Sequence, residues 1–282
     1  MIGCGHEQYE NRPWVAAASD GGFLPIAGQP PPERSRTNSY GTNGLSHCSQ
    51  KANMSMDTQT KRSASELASR NVRIMAGSVV LDGEWCVPAG AAGIVLFAHG
   101  SGSSRHSPRN QAVARALQES GTGTLLFDLL TRGEEAEDAR TGELRFDIGL
   151  LARRLVAATQ WVASQPEGEH LGLGYFGSST GGAAALAAAA ELGSVVDAVV
   201  SRGGRPDLAG DALARVQAPT LLIVGERDEV VLQLNEEACE QLRCEKELAV
   251  VPRATHLFEE PGALEEVARL AAAWFRRHLK PR

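Results

Sequence analysis

Short, wholly apolar runs separated by helical patterns limit the folds that this chain can adopt. The runs Ile94–Ala98, Leu171–Phe176 and Pro219–Val224 contain no charged side chain. A strand of this kind is buried on both faces, as in a parallel sheet that is covered by helices. Between the runs, apolar residues recur at helical spacing, for example Val113 and Leu117. The pattern predicts an α/β fold with a mostly parallel sheet and helices on both faces.

The predicted elements follow one another from Asn71 to the end of the chain. We predict strands at Val72–Met75, Val79–Val87, Ile94–Ala98, Thr124–Phe127, Leu171–Phe176, Val195–Val200, Pro219–Val224 and Glu247–Val251. We predict helices at Pro108–Glu119, Phe146–Ser164 and Thr180–Leu192, another around Leu234–Leu242, and a last one that carries Leu264–Leu279. The first two strands should pair as an antiparallel hairpin at one edge of the sheet. In open sheets of this kind, ligands bind beyond the carboxyl ends of the strands.

Residues 1–70 differ in composition from the rest of the chain. Pro, Gly, Ser, Asn and Gln are frequent there, and no helical or strand period persists. Such a segment buries too little apolar surface to offset the entropy lost on ordering, so we predict a disordered extension. Alternatively, the natural start lies at Met54 or Met56, and residues 1–53 are then non-native. Residues 71–282 are predicted to form one domain.

The overall composition excludes several classes of protein. A net charge of −6 disfavours a nucleic-acid partner, because phosphate-binding surfaces carry a basic excess. The five cysteines show no CxxC spacing, which indicates reduced thiols in a cytoplasmic protein rather than disulfides or a zinc site. No apolar run reaches the roughly 18 residues of a membrane span, and the N-terminus lacks a secretory signal. The oligomeric state is left open.

The motif Gly177-Ser178-Ser179-Thr180-Gly181 directly follows a predicted strand and opens a predicted helix. This is G-x-S-x-G in the strand–turn–helix context that the motif requires. The tight turn presents the central serine Oγ above the sheet at a helix N-terminus, whose dipole favours developing negative charge. Side chains at Gly177 and Gly181 would collide with neighbouring backbone. We predict that Ser179 is a nucleophile; the alternative is a glycine-rich cap at an ordinary turn.

A serine hydroxyl needs a general base, and the base needs an orienting carboxylate. In this fold the acid and the histidine follow the serine in that order along the chain. Asp228 lies in the loop after the strand that ends at Val224 and is the predicted acid, with Glu226 and Glu229 as rivals. The position of this loop places Asp228 at the carboxyl edge of the sheet.

Two histidines follow the predicted nucleophile, and they differ in context. His256 lies in the loop between the last strand and the last helix. His278 lies in the last helix among Arg276, Arg277 and Lys280, which is typical of a solvated face. We therefore predict His256 as the base.

A glycine-rich turn, His99–Ser104, follows the apolar strand Ile94–Ala98. Such a turn lets a backbone N–H point at a substrate oxygen, together with the N–H of the residue after the nucleophile. We predict the backbone N–H groups of Ser101 and Thr180 as the oxyanion hole, and a structural hydrogen bond within its turn for His99. A phosphate-cradling loop is the alternative, but this turn has neither a Walker nor a G-x-G-x-x-G arrangement.

The order of His99-Gly100, Gly177–Gly181, Asp228 and His256 resembles that of the α/β-hydrolase superfamily. The compact layout is similar to dienelactone-hydrolase-like bacterial proteins over about residues 72–280. The resemblance implies an α/β-hydrolase fold without a large cap, and an acyl-enzyme mechanism that needs no metal ion or organic cofactor. One feature departs from the pattern: dienelactone hydrolases carry cysteine at this turn, whereas this chain carries Ser179. The departure favours an ordinary ester over a dienelactone as substrate.

The substrate is predicted to be a small-molecule ester with a small or exposed acyl group, because no long insertion separates Val200 from Pro219. The same triad would also serve a thioesterase, an acyltransferase or a peptidase, and a non-catalytic binding protein on this fold is a further alternative.

Basic residues follow several of the predicted strands. Arg202 and Arg105 are candidates to bind a substrate carboxylate, since arginine presents a bidentate fork. The other rim arginines are Arg109, Arg132 and Arg205. The alternative is that these residues pair with nearby acidic side chains and brace loops; the acidic candidates are Glu134, Glu135, Asp138 and Asp207.

Overall fold

The computed structural model describes residues 69–282. The expectations for residues 1–68, disorder and an alternative start, lie outside the described residues. Eight strands form one sheet. They are β1 (Arg70–Ala76), β2 (Val79–Cys86), β3 (Gly93–Ala98), β4 (Gly123–Phe127), β5 (Gly172–Ser178), β6 (Ala198–Arg202), β7 (Thr220–Gly225) and β8 (Lys246–Val251).

The strand order is β1-β2-β4-β3-β5-β6-β7-β8. β1 pairs with β2, and β2 with β4, in antiparallel register, whereas every other pair is parallel. The fold is therefore the mostly parallel sheet with an antiparallel edge hairpin that the sequence predicts. The chain passes from β3 to β4 on one side and returns to β5 on the other. The carboxyl ends of β3 and β5 flank the crevice that this reversal creates, where ligands bind in such sheets.

Six α-helices accompany the sheet in the described part of the chain. They are α1 (Pro108–Glu119), α2 (Arg132–Thr141), α3 (Ile148–Ala163), α4 (Thr180–Leu192), α5 (Glu229–Gln241) and α6 (Ala263–His278). Two apolar clusters lie on opposite faces of the sheet: one gathers side chains of α1 and α6, and the other those of α3, α4 and α5. Between residues 69 and 282, no helix combines the length and apolar character of a membrane span.

Among the described residues, two helical segments of ten residues each were not predicted. α2 begins with a capping box, in which Thr131 Oγ1 accepts from Glu134 N–H at 3.2 Å and Glu134 Oε2 accepts from Thr131 N–H at 2.7 Å. Pro206–Arg215 forms a 3₁₀ segment that is interrupted by Gly210. This segment lies between β6 and β7, where no large cap is present, as expected.

Strand β6 corrects one predicted boundary. A strand over Val195–Val200 was expected, but Gly193–Val195 forms a 3₁₀ turn and the strand begins at Ala198. It extends to Arg202, which pairs in register with Ser178 at the end of β5. Arg202 is therefore part of the sheet rather than of the following loop.

Candidate active site

Ser179 stands at the sharp turn between β5 and α4 with φ 51° and ψ −122°. A positive φ is uncommon for a residue with a side chain and indicates backbone strain. A Cβ added at Gly177 would lie 2.5 Å from Gly182 Cα, and one at Gly181 would lie 2.6 Å from the carbonyl oxygen of His99. Both glycines are thus required by close backbone approach, as the motif predicts. The turn holds Ser179 at the N-terminus of α4.

His256 and Asp228 meet at the carboxyl edge of the sheet. His256 Nδ1 lies 2.6 Å from Asp228 Oδ2, and the imidazole is more exposed than the carboxylate. Since Nδ1 faces the carboxylate, Nε2 is the nitrogen that can take a proton from a nucleophile. His278 lies elsewhere, with its ring 4.5 Å from that of Trp274. The structure thus brings together the predicted acid and base.

The rival carboxylates have other partners or positions. Glu226 Oε2 accepts a hydrogen bond of 2.6 Å from the backbone N–H of Arg253 and stabilises that loop. Glu229 is exposed in the first turn of α5. Asp228, which directly precedes this helix, is the carboxylate that contacts the imidazole.

Ser179 and His256 line one cavity of about 200 Å³. Gly203 follows β6 with φ 50°, and a Cβ there would lie 3.4 Å from His256 Nδ1. The hydrogen bonds of residues 69–282 include none between Ser179 Oγ and His256. Such contacts are often long in a ligand-free enzyme and tighten when substrate binds. Sequence reasoning missed the role of Gly203; the glycine pair 203–204 directly after a strand was the available signal.

The two predicted oxyanion residues contact one another beside the nucleophile. Ser101 Oγ and Thr180 Oγ1 share a hydrogen bond of 3.0 Å. Thr180 is the first residue of α4, so its backbone N–H belongs to the group that has no partner within the helix. A Cβ at Gly100 would lie 3.1 Å from Ser179 Cβ, which shows how closely this turn approaches the nucleophile. Both predicted residues therefore lie close to Ser179 in the structure, and their role as oxyanion donors stays a prediction.

His99 connects the loops that follow β3 and β4. Its Nε2 accepts from the backbone N–H of Leu129 at 3.0 Å, so Nδ1 carries the proton and donates to the carbonyl of Gly100, also at 3.0 Å. Burial lowers the pKa of His99, which favours the neutral ring. This arrangement agrees with a structural role and extends it, since the contact with Leu129 reaches beyond the turn.

A second cavity of about 510 Å³ adjoins the oxyanion residues on the side of α2. Ser101 and Thr180 line it, and apolar side chains form part of its wall. The apolar members are Leu129, Leu130, Ala139 and Leu151. Glu135 also lines it, and burial, reinforced by the charge of Asp128, raises the pKa of this carboxyl. The wall also contains the charged side chains Asp138 and Arg145, so the cavity beside the oxyanion residues is of mixed polarity.

Most rim arginines hold loops together. The guanidinium of Arg105 pairs with Asp128, whose other oxygen accepts from the Arg105 backbone N–H at 2.8 Å. Arg205 binds Asp207 through two hydrogen bonds. Arg105 lines neither of the two cavities, so the structure does not bring it together with Ser179, and its role in substrate binding stays a prediction. Arg202 lines the cavity that Ser179 and His256 share.

The sheet, the strained serine turn and the loops at the carboxyl edge define a protein of the α/β-hydrolase fold. Residues 81–279 match the sequence profile of the Dienelactone hydrolase family, and the chain belongs to that family. It is therefore a member of a hydrolase family.

Solved structures agree with this assignment. A dienelactone hydrolase from Anabaena variabilis is 60% identical, with a TM-score of 0.74, over 76% of this chain and 99% of that one. Est1E from Butyrivibrio proteoclasticus is 15% identical with a TM-score of 0.62, over 73% of this chain and 98% of its own, and shares the fold.

Two curated proteins from strains of Mycobacterium tuberculosis are 57% identical over 213 residues, or 76% of this chain. Both are named, provisionally, as phosphoribosyl transferases. The match covers 47% of each, so this chain spans about half the length of these relatives.

Proposed function

We propose that this protein is a serine hydrolase that cleaves carboxylic esters through an acyl-enzyme on Ser179. The observation that carries the proposal is the 2.6 Å contact between His256 and Asp228 at a cavity that Ser179 and His256 both line. A strained serine, an imidazole and an orienting carboxylate form the constellation that activates a hydroxyl for acyl transfer.

In this mechanism Ser179 Oγ attacks the acyl carbon while His256 Nε2 takes its proton. Asp228 keeps the imidazole in the required tautomer and stabilises the imidazolium that forms. The backbone N–H groups of Ser101 and Thr180 stabilise the tetrahedral oxyanion. His256 then donates the proton to the leaving alcohol, and water attacks the acyl-enzyme with the same histidine as base. No step requires a metal ion or an organic cofactor.

Two features bear on the substrate. Serine replaces the cysteine that the resemblance associates with dienelactone hydrolysis, which favours an ordinary ester. The site lacks a large cap, which favours small or exposed acyl groups. Thioesters, acyl acceptors other than water, and peptides remain alternatives for the same triad.

The phosphoribosyl transferase name of the mycobacterial relatives does not transfer to this site. The part of this chain that matches the Dienelactone hydrolase profile contains the serine turn, and the match covers less than half of each relative. We assign hydrolysis to the shared portion. The described cysteines Cys86, Cys239 and Cys244 are all in the thiol form, which supports a cytoplasmic location as a further part of the proposal.

Hydrolysis of para-nitrophenyl acetate tests the proposal. Wild-type protein should turn it over, and Ser179→Ala should lower kcat by about 10⁴-fold or more. A fluorophosphonate should add one label to the wild type and to Ser178→Ala, and none to Ser179→Ala, as read by intact mass. Equal labelling of Ser179→Ala would show that the nucleophile is misassigned. Comparison of acetyl thioester with acetyl oxyester turnover separates esterase from thioesterase.

A further inference from the structure

The post-β6 loop, residues 203–205, is bonded to the turn that carries Ser179. The backbone N–H of Arg205 donates to the carbonyl of Ser179 at 3.1 Å. The carbonyl of Arg202, the last residue of β6, accepts from the N–H of Ser179 at 3.3 Å. The donor and the acceptor of the Ser179 backbone therefore both bond to residues 202–205, and a shift of this segment would displace the serine.

The same loop contacts the imidazole of His256. Gly203 has φ 50°, and a Cβ there would lie 3.4 Å from both Nδ1 and Cε1 of the ring and 3.3 Å from the carbonyl oxygen of His256. The ring therefore lies against the backbone of this glycine. The N–H of Gly203 donates to the carbonyl of Ile223 in β7 at 2.7 Å. Three consecutive residues thus contact both the predicted nucleophile and the predicted base.

Asn235, on α5, holds the post-β6 loop through a side-chain hydrogen bond. It is completely buried, and its Nδ2 donates to the carbonyl of Gly204 at 2.9 Å and to that of Val231 at 2.7 Å. Val231 precedes Asn235 by four residues, so its carbonyl is also the acceptor of the regular helical pattern. Among the described residues, no other side chain donates to the backbone of this loop. The carbonyl of Gly204 is therefore the acceptor that depends on Asn235.

Packing alone does not explain an asparagine at this position. Its Oδ1 is buried and has no hydrogen-bond partner among residues 69–282. An unpaired buried polar atom lowers stability, and an apolar side chain in α5 would avoid that loss. The amide is therefore explained by the bond that its N–H group makes to the loop.

Helix α5 also positions the predicted acid. Asp228 directly precedes α5, and its carbonyl accepts from the backbone N–H of Leu232 at 2.8 Å in the first turn. Asn235 lies two turns further along the same helix. The helix that follows the acid thus carries the side chain that holds the loop between the nucleophile and the base.

We propose that Asn235 is a positioning residue of the triad, which fixes the Ser179 turn and the His256 imidazole relative to one another through the post-β6 loop. This role rests on the proposed function, in which His256 takes the proton of Ser179. Asn235 does not touch the substrate; it acts through the carbonyl of Gly204. Its loss should affect proton transfer and leave substrate binding unchanged.

Steady-state hydrolysis of para-nitrophenyl acetate by full-length Asn235→Ala tests this role. We expect kcat to fall by about 10-fold or more, because small displacements of reacting groups are costly in rate. His256 is the base in both acylation and deacylation, so both steps should slow together and KM should stay within about two-fold of wild type. The rate of fluorophosphonate labelling at Ser179 should fall by a similar factor.

Ala238→Gly is the matched control in the same helix. Ala238 is buried on α5, and glycine in a helix interior lowers stability while Asn235 and its bond to the loop are kept. Tm should fall, and kcat should stay within a few-fold of wild type at a temperature well below the Tm of both variants. An equal loss of kcat in the two variants overturns the role of the amide, because a disturbed helix would then be sufficient.

The loop itself is tested by a second pair of variants, which also decides the question if Asn235→Ala does not fold. Gly203 and Gly210 have almost the same φ, 50° and 51°, so alanine strains the backbone at both positions. A Cβ at Gly203 meets His256, whereas one at Gly210 has no atom within 4 Å. Gly203→Ala should lower kcat by about 10-fold or more, and Gly210→Ala should not.

The outcomes separate this role from the proposed function. An active wild type with unchanged kcat in Asn235→Ala, or with equal kcat in Gly203→Ala and Gly210→Ala, overturns the positioning role and leaves the proposed function standing. A wild type that neither hydrolyses the ester nor takes the fluorophosphonate label contradicts the proposed function and, with it, the role of Asn235.

Discussion

At the scale of single residues, Ser179 and Arg202 both occupy states that a fold without a function would avoid. Ser179 has a positive φ, and Arg202 is a buried charge without an acidic partner in residues 69–282. The strained backbone and the buried charge both lower the stability of the fold. The two residues are neighbours, because the backbone N–H of Ser179 donates to the carbonyl of Arg202 at 3.3 Å. Strain and unpaired charge that cluster in this way are typical of sites where binding or catalysis takes place.

Replacement of Arg202 by methionine should therefore stabilise the fold. The pKa of Arg202 is lowered to about 10, so the side chain stays charged at lower pH, and this buried charge reduces the free energy of unfolding throughout that range. Methionine retains apolar contact with Phe258 and removes the charge, so we expect the free energy of unfolding to rise by ~1 kcal/mol or more. Urea denaturation at pH 7 measures the change. A lower midpoint in Arg202→Met would indicate that the guanidinium is a structural element.

Asp228→Asn isolates the role of the carboxylate. Asparagine keeps the shape but cannot stabilise the imidazolium, so kcat for para-nitrophenyl acetate should fall by about 1,000- to 10,000-fold while the fold is retained. Steady-state kinetics and a thermal melt measure the two effects. Asp207→Asn, at the partly buried pair with Arg205, removes the same charge and should leave kcat within a few-fold of wild type. Comparable rates in both variants would exclude Asp228 as the orienting acid.

His99 should make stability depend on pH. Its pKa is lowered by burial, and Nε2 already accepts from Leu129 N–H, so protonation would remove that hydrogen bond. A histidine with a lowered folded pKa contributes stability that is complete above its unfolded pKa of about 6.5 and is lost as the pH falls.

The comparison of wild type with His99→Gln from pH 7.5 to 5 tests this dependence. The difference in the free energy of unfolding between the two proteins should shrink on acidification. Because His278, whose pKa is also lowered by burial, is present in both, its contribution cancels. A difference that is constant with pH would mean that His99 does not titrate in this way.

The residues of the site were predictable to different degrees. Ser179, Asp228 and His256 follow from motif and order, because the turn and the chain order are constrained by the fold. Their mutual placement required the structure. The difference between Arg105 and Arg202 was not predictable, since both follow predicted strands. Arg105 has an acidic partner because β3 and β4 are neighbours in the sheet, and Asp128 directly follows β4.

At the scale of elements, the connection between β5 and α4 depends on two glycines. A Cβ at Gly181 would collide with the backbone of Ala98 and lie 2.6 Å from the carbonyl oxygen of His99. Backbone at the centre of a sheet cannot move aside, so Gly181→Ala should destabilise the protein by about 3 kcal/mol or more and abolish ester turnover. Chemical denaturation and activity measure both effects.

Gly133→Ala, in exposed helix α2, is the control for that change. The nearest atom to an added Cβ is Thr131 Oγ1 at 3.9 Å, and alanine stabilises helix interiors by about 0.5–1 kcal/mol relative to glycine. The control should be neutral or slightly more stable than wild type. Equal tolerance of alanine at both positions would contradict the close approach seen at Gly181.

Elements were predicted well where apolar side chains form a continuous run or recur at helical spacing, and poorly where the sequence has no such pattern. The buried strands β3, β5 and β7 were found to within two residues. α2 was not predicted because its sequence lacks an apolar stripe. Asp138 is the one residue of this helix that is buried. Its sequence signals are at its ends: the pair Thr131 and Glu134 of a capping box, and Gly142 after the last helical residue.

At the scale of the whole molecule, the hydrolase domain appears in different chains. The match covers 99% of the solved Anabaena chain. The mycobacterial relatives are about twice as long as the matched portion. The matched region therefore occurs both in a chain that it almost fills and in chains about twice its length.

A shortened chain tests whether this part of the protein suffices for stability and for the proposed chemistry. The strands and the candidate site of the described residues all lie within the compact unit of residues 60–282. A variant of residues 60–282 should show the same Tm and the same kcat/KM for para-nitrophenyl acetate as the full chain. Equal values would assign both stability and the proposed chemistry to this unit. A clearly lower Tm would show that residues 1–59 stabilise the domain. An unchanged Tm with an altered kcat/KM would show instead that they affect the site, because Tm reports on the stability of the fold and kcat/KM on the reaction at Ser179.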